Sequence, residues 1–222
     1  MRLCLVTREY PALGSHGGIG TYTQNLARGL AARGHHVTVI ARAAEPTSAF
    51  FEGGVGIEPV VTPDRWRLPV GNRFVGVSMR LAPFAIAAAK RFRQLDRECP
   101  QDLVEIPEYE GWGLGVAMAA RCPVVVRLHS HSKLVRRLNG SRASLEAHLI
   151  AGLEAMSIRA GDAVLANSHA LAEAMACDYD FPRERVEVLP LGIDTRRFAP
   201  SSPQWLRTHL GLPQEAQILL YV

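Results

Sequence analysis

Along this chain, short runs of consecutive apolar residues alternate with segments in which apolar positions recur every three or four residues. The alternation continues from end to end, which predicts an α/β fold: a Rossmann-like parallel sheet with helices on both faces. Arg2–Thr7 reads as a buried strand, residues 36–41 as a second, rich in β-branched side chains, and Val55–Val61 as a third. Later runs predict strands at residues 102–106, 123–128, Ala163–Ala166 and 185–189. Between the first two strands, Tyr22, Leu26 and Leu30 mark one face of a helix, with Thr21 and Gln24 as a capping box and Gly34 as its stop. A helix over residues 73–98 is expected to break or restart at Pro83, after a long loop at residues 62–72. Residues 113–121, 142–160 and 169–176 complete the helical set. In the second of these, Leu145, Leu149, Leu153 and Met156 form the expected core-facing side, with Ser141 as cap. A short helix at residues 205–210 and an apolar strand at residues 217–222 close the chain.

The sequence has 222 residues, 48% of them hydrophobic, enough for one substantial core. Its longest unbroken apolar stretch, residues 81–89, contains a proline and falls far short of the roughly 20 residues that cross a bilayer. The apolar run at residues 3–6 passes straight into Thr7, Arg8 and Glu9, so it lacks a signal-peptide core, and a cytoplasmic protein is expected. Cys4, Cys99, Cys122 and Cys177 have neither CxxC nor metal-ligand spacing and read as reduced thiols. The net charge of +4 comes almost wholly from scattered arginines, which favours small anions or an anionic lipid surface over nucleic acid. Arg73, Arg80, Lys90, Arg91 and Arg93 accompany Phe74, Val77, Leu81, Phe84 and Phe92. A core-facing helix with a solvated arginine side is the favoured reading of that pattern, and peripheral contact with a membrane is the alternative.

Three places carry candidate chemistry. The loop from Glu9 to Gly20 is glycine-rich, and Gly17, Gly18 and Gly20 would let backbone approach a ligand at the start of a helix. Its spacing is neither GxGxxG nor GxxxxGK[ST], which counts against a dinucleotide oxidoreductase or a P-loop enzyme. His129 follows a predicted strand directly, at the end where open sheets build their ligand crevice, and His131 lies two residues on. A packing role is the alternative for His129, and metal binding for the pair lacks a third ligand. Glu105 and Glu108 end another strand and could meet sugar hydroxyls or form a solvated acidic loop. Asn167 and Ser168 open a helix, where Ser168 is a cap that could also face a ligand.

The Gly-Gly-Ile-Gly loop, Val124-Val125-Val126-Arg127-Leu128-His129-Ser130, the segment from Gly161 to Ser168, and the segment from Val188 to Phe198 occur in an order that resembles glycosyltransferase family four. That resemblance implies one half of a two-domain GT-B enzyme, a retaining hexosyltransferase-like protein that uses a nucleotide-sugar donor. It implies an acceptor-side domain over residues 1–200, then a crossing segment and the first strand of a donor-binding domain over residues 201–222. His129 would lie beside the transferred sugar as the catalytic residue, and Gly17 and Gly18 would approach the donor diphosphate and sugar. Gly20, Glu108 and Ser168 complete the expected substrate contacts. No cofactor or metal is implied, because basic residues of the second domain neutralise the leaving group. The acceptor could be a glycan, a lipid-linked molecule or a small molecule, and a chain lacking the carboxyl-terminal domain is expected to be inactive alone. A non-catalytic binding or regulatory module, and an epimerase or phosphorylase of the same architecture, are the rival functions.

Overall fold

The computed structural model describes residues 1–62, 78–195, 198–199 and 204–219. Eight strands form one sheet: β1 (Arg2–Thr7), β2 (His36–Ala43), β3 (Phe50–Glu52), β4 (Val55–Val61), β5 (Leu103–Pro107), β6 (Val124–Leu128), β7 (Ala163–Ala166) and β8 (Val186–Val188). Their spatial order is β3-β4-β2-β1-β5-β6-β7-β8, and every neighbouring pair is parallel except β3 with β4. The order reverses direction between β1 and β5. Side-chain alternation splits β1 between two cores: Cys4 and Val6 join one cluster, and Leu5 the other. The first cluster takes Phe84 and Phe92 from α2 (Ser78–Glu98), Val116 from α3 (Leu114–Ala117), Ile158 from α5 (Leu145–Arg159) and Met175 from α6 (His169–Tyr179). The second is closed by Ala27, Leu26 and Leu30 of α1 (Gly18–Ala31). Helices therefore cover both faces, as the alternating pattern requires.

Several local expectations change. Helix α1 starts at Gly18 with Gly17 as N-cap and no side-chain cap, so Thr21 and Gln24 stand inside the helix and form no capping box. Helix α2 continues through Pro83 without a break. The expected loop beyond Thr62 and the helical residues 73–77 lie outside the described residues. Phe84 and Phe92 are fully buried and Arg91 pairs with Glu58 at 2.8 Å, so the apolar side of α2 faces the core and does not present a membrane-binding face. The hairpin strand β3 and helix α4 (Ser132–Leu138) were not expected from the sequence.

The largest difference concerns α5. Its cap is Ser144, whose hydroxyl accepts from the Ala147 N–H at 3.1 Å, in place of Ser141. Leu145, Leu149 and Met156 are 56%, 47% and 55% exposed, and the buried side carries Ala151, Glu154, Ser157 and Ile158. The helix is turned this way because it packs on loops with backbone N–H groups to satisfy as well as on apolar side chains. Glu154, fully buried, accepts from the Glu110 N–H at 3.0 Å, the Ser132 N–H at 3.1 Å, the Ser132 hydroxyl at 2.6 Å and the Tyr179 hydroxyl.

Residue contacts divide the chain into two compact units, Met1–Leu191 and Gly192–Val222. The second contains α7 (Gln204–Leu210). Gln217, Ile218 and Leu219 are not in a strand, and the remainder of the expected closing strand lies outside the described residues.

The orientation of α5 has a direct energetic consequence. Leu149→Ala is expected to change unfolding free energy by less than about 1 kcal/mol, whereas Ile158→Ala costs about 2–5 kcal/mol by leaving a cavity. Glu154→Ala is expected to cost about 3 kcal/mol or more because it orphans buried donors in two loops. Urea denaturation of the three variants gives these values, and a Leu149→Ala loss equal to that of Ile158→Ala would contradict the observed orientation.

Candidate active site

At the reversal between β1 and β5, the segments leaving the two strands diverge and open a crevice at the carboxyl edge of the sheet. Arg8 and Glu9 leave β1 there, Glu108 to Glu110 leave β5, and His129 leaves β6. From the α1 side, Tyr22 reaches this edge one helical turn beyond Gly18.

His129 is half-buried, its ring meeting that of Tyr22 edge to face with centroids 5.0 Å apart. The Tyr22 hydroxyl donates to Glu105 Oε1 at 2.9 Å, and the Arg127 guanidinium lies 5.3 Å from the Tyr22 ring centroid. Arg127, only 4% exposed, donates from Nη1 to the Leu189 carbonyl at 3.0 Å. Burial, and then the charge of Arg127, push the His129 imidazole down to about 4, so it is neutral at physiological pH. A neutral imidazole offers one N–H donor and one nitrogen acceptor, a pairing suited to hydroxyl groups. Burial raises the carboxyl of Glu105 above its ordinary range, against the opposing charge of Arg127 and the hydrogen bond from Tyr22.

Glu108 is fully buried, and its Oε1 accepts from the His129 N–H at 2.8 Å. Its contact is with the loop that carries His129, so it reaches a ligand through that loop and not through its own carboxyl. Burial pushes this carboxyl up to about 8. His131 is also fully buried; its Nε2 lies 2.8 Å from Asp178 Oδ2 and its ring stands edge to face with Tyr179. It packs below the site. No group of three or more His, Cys, Asp or Glu side chains among the described residues could hold a metal ion. Ser168 is exposed at the start of α6, where its hydroxyl accepts from the Leu171 N–H at 3.2 Å and so acts as the helix cap.

The three glycines divide by what surrounds them. A Cβ on Gly17 would lie 1.9 Å from Glu9 Oε2, and one on Gly20 would lie 2.7 Å from the Glu9 carbonyl oxygen. Those two glycines are accounted for by the close passage of the β1–α1 connection. Gly18 has nothing within 4 Å of the equivalent point. Of the three, it alone borders open space at the helix start.

Residues 16–197 match the family model for Glycosyltransferase Family 4. The chain belongs to that family. It is 26% identical over 221 residues to a D-inositol 3-phosphate glycosyltransferase of Nocardiopsis dassonvillei, covering 96% of this chain and 50% of that protein. The identity is 29% over 224 residues with the protein of the same name from Frankia alni, covering 96% and 53%. The chain thus spans about half the length of the curated relatives it matches. Among solved structures, sucrose-phosphate synthase from Thermosynechococcus elongatus superposes with a TM-score of 0.69 at 19% identity, over 97% of this chain and 53% of the other. Anabaena HepE, solved with UDP-glucose, gives 0.58 at 18% identity, over 95% and 50%. These neighbours show the fold: the sheet corresponds to half of a GT-B glycosyltransferase.

For a family 4 chain, the sequence reading named His129 and the glycines but missed Tyr22, Arg127 and Glu154. Arg127 carried a signal, since a charge inside the apolar run of β6 requires buried partners. Tyr22 was read as part of the apolar face of α1, and its hydroxyl is what sets it apart.

Two expectations follow for the site. Gly20→Ala should destabilise the fold by about 1–3 kcal/mol because the new methyl meets fixed backbone, while Gly18→Ala should leave stability within about 0.5 kcal/mol; thermal unfolding compares them. For Glu108, the unfolded chain releases its proton near 4.5 and the folded chain near about 8. Between those values the folded state holds the extra proton, so this group makes stability fall as pH rises. Glu108→Gln keeps an oxygen for the His129 N–H and removes that fall. Its stability relative to the wild type should therefore improve from about pH 5 to about pH 9, and a constant difference would place the Glu108 titration elsewhere.

Proposed function

We propose that this chain is the acceptor-side half of a retaining glycosyltransferase that moves a sugar from a nucleotide-sugar donor to a hydroxyl of an acceptor. The observation that carries the reading is the neutral imidazole of His129, held at the carboxyl end of β6 against Tyr22, on the helix that starts at the open position of Gly18. Its chemistry suits a sugar hydroxyl, which a neutral donor–acceptor ring can orient without adding charge. A nucleotide-sugar donor is supported by the family membership and by the solved complex of HepE with UDP-glucose. In this reading residues 1–200 form the acceptor-side domain and residues 201–222 lead into a donor-binding domain. The leaving diphosphate is neutralised there by basic side chains, without a metal. Glu108 and Tyr22 serve as positioning residues. Cytoplasmic residence is supported by four cysteines that are all unpaired.

Because the donor site is shared between two halves, the purified chain should show no release of UDP from UDP-sugars, and turnover by this chain alone would contradict the division of labour. In an enzyme that joins the chain to a donor-binding half, His129→Ala should lower kcat by about ten- to a thousandfold with little change in melting temperature. A large loss of stability with a normal rate in the folded fraction would make His129 a packing residue.

A further inference from the structure

Besides the arrangement around His129, the crevice has a second half on the α2 side of the sheet. Thr7 of β1 pairs with Ala41 of β2, so Arg8 and Arg42 come next side by side at the carboxyl ends of two parallel strands. Alternation places both on the face of Cys4, Val6 and Ile40, opposite the face closed by α1. Each is half-buried. Arg42 Nε donates to the hydroxyl of Thr62 at 3.1 Å, and Thr62 follows the next strand, β4. Arg8 Nη1 stands 3.9 Å from Glu110 Oε2, and its guanidinium lies 5.8 Å from the ring centroid of Trp112. That carboxylate oxygen also accepts from Trp112 Nε1 at 3.1 Å. At 3.9 Å the carboxylate attracts Arg8 but lies outside hydrogen-bond reach, so it leaves the guanidinium donors to other acceptors. Like charges on neighbouring strands oppose one another, and Arg42 is held below the usual guanidinium range by burial and then by the charge of Arg8.

Two forked guanidiniums side by side at the reversal point of an open sheet provide what a tetrahedral dianion needs: paired charge and several N–H donors in fixed planes. We propose that Arg8 and Arg42 seat a phosphomonoester carried by the acceptor. The inference rests on the glycosyl-transfer reading and gives that reading its acceptor class, a phosphorylated hydroxyl compound. A phosphomonoester carries a charge of about −1.5 to −2 at neutral pH, which matches two guanidiniums, whereas a phosphodiester or a carboxylate would leave one unmatched. Glu9, the acidic neighbour of Arg8, turns its carboxylate to the opposite side, against Gly17.

The test uses the isotopically labelled chain itself, titrated with inorganic phosphate at constant ionic strength and followed by amide chemical shifts. Saturable shifts are expected at Arg8, Arg42 and Thr62. Arg8→Gln and Arg42→Gln should each weaken phosphate binding by about fivefold or more, with His129→Ala and Gly18→Ala unchanged. Glycerol phosphate should reproduce the shifts and glycerol should not. Shifts that never saturate, or binding that survives both glutamine variants, would overturn the site. UDP that displaces phosphate from these residues would assign the site to the donor and overturn the acceptor class. Should the glutamine variants lose their dispersed spectra, Arg8→Lys and Arg42→Lys keep the charge without the fork and are expected to bind more weakly; undiminished binding by both would count against the proposal. None of these readouts uses sugar transfer, so a failed phosphate seat leaves the transfer reading standing, and a failed transfer assay leaves the seat standing.

Discussion

Two carboxylates buried beneath the crevice, Glu108 and Glu154, satisfy backbone donors of the loops that leave β5 and β6. Those loops must turn away from the sheet to expose functional groups, and in doing so they give up the ladder partners their N–H groups would otherwise have. A single glutamate on α5 replaces several of them and bridges both loops, so the positions of Glu110 and Ser132 are fixed relative to one another. Glu110 is held in the left-handed region, φ 51°, a conformation that costs about 1–2 kcal/mol for a residue with a side chain. The hydrogen bond from its N–H to Glu154 offsets part of that cost. Rigid loops are what a transfer site requires, because small displacements of a reacting group are expensive in rate.

Charge on the other face of the sheet is arranged for orientation. Arg127 and Glu105 stand on neighbouring strands, facing α1, with Tyr22 between them as a hydrogen-bond donor and an aromatic face. A buried charged pair of this kind contributes little net stability, since desolvation cancels most of its attraction. Its effect is geometric: Tyr22 is fixed at both its hydroxyl and its ring, and His129 rests against its edge. The same guanidinium holds the Leu189 carbonyl, directly after β8, so the last strand is tied to the group that orients His129. It also disfavours protonation of the imidazole, which keeps His129 a hydrogen-bonding group instead of a cation.

The fold was legible because it follows from periodicity. β7 agrees with the expected range to the residue, and the other predicted strands through β8 agree to within two residues at each end. The candidate site was legible where a residue type stands at a strand end, as with His129. It was illegible where tertiary context reverses a local rule. The leucines of α5 look like a core face, yet that side is exposed, because the loops beneath the helix need an acceptor and the residue supplying it is Glu154. Glu108 shows the same limit: at a strand end it reads as a ligand contact, and only its full burial reveals that it serves the loop. Arg8 and Arg42 were invisible as a pair, since 34 positions separate them and only the register of β1 with β2 brings them together.

The glycine loop shows how a motif can be right about the family and still misdirect the chemistry. Gly17 and Gly20 are required by the passage of Glu9, so two of the three glycines would be needed without any ligand. Glu9 also sets its carboxylate beside the N-cap of α1, where the helix dipole would otherwise favour an anion. That dipole contributes about 0.3–2 kcal/mol to an anion at the helix start. Two like charges about 4 Å apart near a protein surface repel by about 4 kcal/mol, so with Glu9 in this position the repulsion exceeds the attraction. The start of α1 therefore favours a neutral group over a diphosphate. A sugar ring with its hydroxyls is such a group, and both Gly18, which borders open space, and the neutral ring of His129 are compatible with one.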